Sequence, residues 1–127
     1  MVAVAALAVA AGFYTADLWK KDSEYGDVSI DTAIDLMEDK PDLVILDVRT
    51  TVEYNEGHIE NAVNIPVEEL ETRITELNKD DEILVYCRTG NRSSSAVEIM
   101  DEAGFTKLYH MHEGISIWID QGHPVVQ

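Results

Sequence analysis

Only one cysteine, Cys87, occurs in the 127 residues of this chain. A single thiol can form neither an intramolecular disulfide nor a multi-thiolate metal cluster, so both are excluded as supports for the fold. Positive charge is scarce as well. Nine Lys and Arg stand against 25 Asp and Glu, a formal net charge of −16. Nucleic-acid binding needs clustered bases to neutralise phosphates, and it is excluded as a function class. The acidity is read as a solvated surface. Three prolines and seven glycines are too few for a disordered linker. No repeat or low-complexity stretch interrupts the chain after residue 27, and 46% hydrophobic residues suit one domain with an ordinary core.

Charge is absent altogether from residues 1 to 16, a run dominated by alanine and valine. With Leu18, Trp19, Lys20 and Lys21 as an interfacial border, residues 1–21 are expected to be a signal or a membrane anchor, touching the membrane through residues 1–19. No basic stretch precedes the run, and Lys20 and Lys21 follow it. The expectation is therefore a membrane-anchored or exported protein with the side of the membrane left open and a cytoplasmic location as the alternative. Residues 22–27 are polar, contain Gly26 and are expected to link this segment to a domain at 28–127.

Within that domain, strand-like and helix-like patterns alternate. Val28-Ser29-Ile30 predicts a short strand, and Asp31 is expected to cap a helix through Asp39 built on Ala33, Ile34, Leu36 and Met37. Leu43-Val44-Ile45-Leu46 is a continuous apolar run of the kind covered on both faces of a parallel sheet. Thr50 to Glu56 predicts a short helix ended by Gly57, and Ile59 to Pro66 a connection with a brief strand. Val67, Leu70, Ile74 and Leu77 share one helical face after Pro66. Ile83 to Tyr86 predicts a strand, followed by a helix to Gly104, a strand at Leu108 to Met111 and a helix from Ile115 to Gln121. Such alternation argues for an α/β domain whose ligand site lies beyond the C-terminal strand ends, where Asp47 and Cys87 both stand.

Chemistry concentrates at Cys87. A buried-type strand delivers it into the polar loop Arg88-Thr89-Gly90-Asn91-Arg92-Ser93, which opens a helix. A helix N-terminus presents unpaired N–H groups and the positive end of the dipole, so a thiolate is expected there. Of the seven basic residues beyond residue 25, Arg88 and Arg92 flank it. They are candidates for the oxyanion end of a small anionic substrate, while Gly90 supplies a tight turn and Ser93 a cap or a donor. No metal or cofactor is called for: His110 and His112, at i, i+2, lack a third ligand and are read as histidines near the site.

Taken together, Leu46-Asp47-Val48-Arg49, Glu53-Tyr54, Gly57-His58-Ile59, Ala62-Val63-Asn64-Ile65-Pro66, Tyr86-Cys87-Arg88-Thr89-Gly90-Asn91-Arg92-Ser93 and Gly114 with Trp118, Gly122 and Pro124 resemble a single-domain rhodanese. The resemblance covers about 100 residues, from Val28 onward. It departs at Glu113, where the family usually has a glycine. It implies a three-layer fold with a mostly parallel, five-stranded sheet flanked by helices, and a sulfurtransferase of the thiosulfate or polysulfide type. Sulfane sulfur would pass through a persulfide on Cys87 to cyanide, a thiol or a sulfur-carrier protein. Cys-x4-Arg at Cys87 and Arg92 implies a smaller cradle than the Cys-x5-Arg of the phosphatases that share the fold. Those phosphatases and arsenate reductases are therefore the lesser alternative, beside a non-catalytic sulfur-carrier or docking module at a membrane. The resemblance makes Asp47 and Arg49 structural, most simply as a pair, which Glu53 at i+4 from Arg49 could join if the helix starts early. His58, in its Gly-His-Ile turn, is read as a structural hydrogen-bonding residue, with a general-base role as the lesser alternative. Trp118 is assigned to the core.

Overall fold

The computed structural model describes residues 25–127. The expected signal or anchor at 1–21 lies outside them, as does the first half of the expected linker, residues 22–24. No helix among the described residues is long and apolar enough to cross a membrane.

Five strands, β1 (Gly26–Val28), β2 (Val44–Asp47), β3 (Val63–Asn64), β4 (Ile83–Tyr86) and β5 (Leu108–Met111), form one parallel sheet in the order β1-β5-β4-β2-β3. The period of two sorts their side chains. Leu84 and Tyr86 of β4, with Tyr109 and Met111 of β5, enter a core that α1 (Ile30–Asp39) and α5 (Gly114–Asp120) cover through Ala33, Leu36, Ile115 and Trp118. Ile83, Val85 and Leu108 enter a second core, with Cys87, against Leu70 of α3 (Leu70–Arg73) and Ala96 and Met100 of α4 (Asn91–Glu102). This is the α/β arrangement with a parallel sheet that the alternating pattern predicts, in the three layers that the resemblance implies.

Three boundaries differ from expectation, each for a local reason. Strand β1 is Gly26–Val28, with Gly26 and Asp27 of the expected linker paired to Tyr109 and His110. Ile30 is then free to begin α1, and Ser29, not Asp31, is the cap: its hydroxyl accepts the Thr32 N–H at 3.1 Å. The expected helix on Val67, Leu70, Ile74 and Leu77 is broken into a 3₁₀ turn, Val67–Glu69, the short α3, and a second 3₁₀ turn, Ile74–Glu76. The apolar spacings are 3, 4 and 3 residues; three matches the 3₁₀ period and four the α turn, so one face stays inward throughout. Arg73, bonded to both Glu69 and Glu76, ties the outer side of the three pieces.

Candidate active site

Strand β4 ends at Tyr86, and Cys87 follows with 1% of its surface exposed. Gly90, at φ +101°, turns the chain into α4 and is its N-cap residue, without a side chain to satisfy the helix's first N–H groups. The sulfur takes that place. Cys87 Sγ accepts the Gly90 N–H at 3.1 Å and lies 3.3 Å from Ser93 Oγ. Burial pushes the thiol up, but the Ser93 hydroxyl and the N–H groups of Ser93, Gly90 and Thr89 outweigh it and leave the pKa lowered. A thiolate is thereby favoured.

The loop is braced from α5. Ile115 N–H donates to Cys87 O at 2.9 Å and Ser116 N–H to Arg88 O at 3.1 Å. Gly114 permits this contact, since a Cβ there would stand 2.2 Å from Arg88 O, and Gly90 likewise would meet His112 O at 2.3 Å. Around the loop, Arg88, Thr89 and Asn91 are exposed, Arg92 is half-buried and Ser93 is buried. Arg88 lines a cleft of about 380 Å³ with Arg49, Glu53, Gly57, Ile115 and Ser116, while Cys87 does not line it. The cleft therefore stands beside the thiol.

The two upstream charges pair as expected. Arg49 Nη2 donates to Asp47 Oδ2 at 2.7 Å and to Gly57 O at 2.7 Å, both side chains being buried, which locks the end of α2 (Thr51–Glu56) to the end of β2. Glu53 does not join them. Its carboxylate takes both terminal nitrogens of Arg92, at 2.7 and 3.0 Å, and its Oε1 accepts the Thr50 N–H in a capping box that starts α2. Arg92 is thus committed to a protein carboxylate. His58 makes a hydrogen bond of the kind expected: Nδ1 meets Tyr54 O at 2.8 Å, the ring stacks on Tyr54 at 3.7 Å, and its backbone bridges Val126. Among the described residues no cluster of His, Cys, Asp and Glu could hold a metal.

The family model of the rhodanese-like domain matches residues 29–121. This chain belongs to that family. The rhodanese-like domain is 36% identical over 96 residues to YrkF of Bacillus subtilis, whose name suggests a sulfur carrier, covering 76% of this chain and 52% of YrkF. It is 31% identical over 90 residues to a sulfurtransferase of Allochromatium vinosum, covering 71% and 84% of the two chains. A rhodanese-related protein from Thermoplasma volcanium superposes with a TM-score of 0.70 at 37% identity, over 80% of this chain and 98% of that one. Longer relatives include tRNA uridine(34) hydroxylases, of which the match spans about a third (32% in Enterobacter sp.). The rhodanese-like sulfurtransferase family is therefore established for this domain.

Glu113, the departure from the family pattern, binds the start of α1: its Oε1 accepts the Ile30 N–H at 3.1 Å and so satisfies a free donor there. The sequence reading missed Asp27 and the part played by His110. Strand parity carries the signal, because His110 alternates with Tyr109 and Met111 and so faces the Cys87 side of the sheet.

Acid should weaken the Arg92 clamp. The Arg92 hydrogen bond holds the Glu53 carboxyl down at about 2, against the ordinary 4.5. A lowered folded pKa gives stability that is complete above the unfolded value and is lost as pH falls from about 4.5 toward 2. With both side chains about a quarter to a third exposed, 26% and 32%, the contribution is on the order of 1 kcal/mol. Urea melts of wild type and Glu53→Gln should differ by that amount at neutral pH and converge near pH 2. A gap that persists unchanged in acid would contradict the assignment.

Proposed function

We propose that the domain moves sulfane sulfur from a small anionic donor of the thiosulfate or polysulfide type to a nucleophilic acceptor, through a persulfide on Cys87. The observation that carries this is the buried thiol in the N-cap position of α4, held by the Gly90 N–H and the Ser93 hydroxyl. In the first step the thiolate attacks the sulfane sulfur, an S–S bond forms, and the rest of the donor leaves with the electron pair. For thiosulfate that group is sulfite. In the second step the acceptor attacks the outer sulfur and the Cys87 thiolate is released. Arg88, exposed beside the cleft, is the cation best placed to meet the donor's oxyanion. Arg92 acts with Glu53 as a fixed part of the wall, its charge compensated by the carboxylate that takes both of its terminal nitrogens. Thr89, Gly90, Asn91 and Ser93 complete the cradle with backbone donors, and Asp47, Arg49 and His58 hold its surroundings in place. Acceptors of the proposed kind are cyanide, a thiol or a sulfur-carrier protein.

After incubation with thiosulfate, intact-mass spectrometry should show Cys87 heavier by one sulfur atom, about 32 Da, and cyanide should remove the adduct. Cys87→Ser should take up no sulfur. Wild type that takes up none from thiosulfate or polysulfide would refute the transfer reading. A second reading is favoured by the likeness to YrkF: the domain carries sulfur to one partner without free turnover. Uptake followed by slow or absent discharge to cyanide and small thiols would select it.

A further inference from the structure

Behind Cys87 lies an unbroken chain of side chains that the transfer chemistry above does not use. Ser93 Oγ, 3.3 Å from Cys87 Sγ, also meets His110 Nε2 at 2.6 Å, and His110 Nδ1 meets Asp27 Oδ1 at 3.0 Å. The four residues come from the end of β4, from α4, from β5 and from β1. Register brings the last two together, since Asp27 and His110 are paired across the parallel ladder and their side chains share a face. Cys87, Ser93 and His110 are buried, whereas the Asp27 side chain is 72% exposed. The chain thus runs from an enclosed thiol to solvent.

The hydrogen-bond requirements fix its direction. A carboxylate only accepts, so a neutral His110 places its proton on Nδ1 toward Asp27 and leaves Nε2 bare. Nε2 then accepts from the Ser93 hydroxyl, a contact far shorter than the competing 3.2 Å from Ser93 Oγ to Gly90 O. With its proton so used, Ser93 Oγ turns a lone pair to the Cys87 S–H. Every donor in the chain faces an acceptor.

We propose that Ser93, His110 and Asp27 form a proton relay that removes the Cys87 proton and holds it while the thiolate waits. The S–H bond breaks as its proton passes to Ser93 Oγ, and the former Ser93 hydroxyl proton passes to His110 Nε2. No electron pair leaves the group. The products are a thiolate that accepts from the re-formed Ser93 hydroxyl and an imidazolium that donates from Nε2 to Ser93 and from Nδ1 to Asp27. Neither His110 nor Asp27 touches the reacting sulfur; both are positioning residues that act through Ser93. The value of the relay to transfer rests on the proposed role of Cys87, but its effect on the thiol can be read separately.

The groups that face His110 among the described residues are Asp27 from β1, Ser93 and through it Cys87 from the loop and α4, and the ring of His112, with centroids 6.4 Å apart. Alkylation of Cys87 by iodoacetamide, followed by mass spectrometry across pH, reports the thiolate without any sulfur donor. His110→Asn is expected to raise the midpoint of that profile by about one unit, a roughly tenfold loss of rate below it. Asp27→Asn keeps an acceptor for Nδ1–H and removes only the charge at an exposed position, so it should fold normally and lose about two- to fourfold. Profiles of both folded variants that superimpose on wild type would overturn the relay. Should His110→Asn not fold, Asp27→Asn decides alone: a profile that superimposes on wild type would overturn the relay. Shifted profiles with no sulfur uptake would instead leave the relay standing and refute sulfur transfer.

Discussion

Gly114→Ala is expected to be among the most damaging single-methyl additions in this protein, destabilising it by roughly 4 kcal/mol through backbone strain and overpacking together. The new Cβ would lie 2.2 Å from Arg88 O, 2.6 Å from Arg88 C and 2.9 Å from Thr89 N. All three are backbone atoms, so no side chain can swing aside. Gly114 also sits at φ +80°, where a side chain is strained whatever the space. Relief requires α5 to move off the cysteine loop, breaking the bonds from Ile115 N–H to Cys87 O and from Ser116 N–H to Arg88 O. Thiol reactivity should therefore fall with stability. Gly122 provides the control, having a similar φ of +85° but nothing within 4 Å of its Cβ position. Gly122→Ala should cost only about 1–2 kcal/mol. Urea melts of the two variants test the difference, and equal losses would show that contact with the loop is not what constrains residue 114.

Removal of the Asp47 carboxylate should cost a comparable amount, roughly 3–5 kcal/mol, because it leaves the Arg49 guanidinium buried and uncompensated. Of the partners of Arg49, Gly57 O at 2.7 Å would remain, along with the Tyr86 ring 5.9 Å from the guanidinium carbon. Neither cancels a full charge. Replacing both residues, as Asp47→Leu with Arg49→Met, should be less harmful than the sum of the two single changes, since no charge is then stranded. Asn64 would still hold the strand end through its bonds to Asp47 O and Arg49 O, at 3.0 and 2.9 Å. Strict additivity in this double-mutant cycle would contradict the pairing.

Much of this fold was legible because its signals are local. Ile83 to Tyr86 and Leu108 to Met111 are read to the residue, their continuous apolar runs being what a sheet buried on both faces requires. That Cys87, Gly90 and Ser93 come together was legible because the strand, turn and helix that place them are contiguous in the chain. The partner of Arg92 was not. Glu53 lies 39 residues away, and choosing between Arg49 and Arg92 for it depends on how the end of α2 meets the start of α4. Asp27 was hidden for the same reason, as its contact with His110 spans 83 residues. Helical spacing also says less than it promises over Val67 to Leu77, where apolar intervals of 3, 4 and 3 fit alternating 3₁₀ and α turns as well as one helix.

The strand order has a consequence for synthesis. Among the described residues β5 lies between β1 and β4, so β1 has no neighbouring strand until residue 111 has been built. A nascent chain that has already released the cysteine segment still lacks the strand on one side of β4 and the α5 backbone that braces the loop. The loop around Cys87 therefore takes its braced geometry, through the bonds from Ile115 and Ser116, only after β5 and α5 have been made.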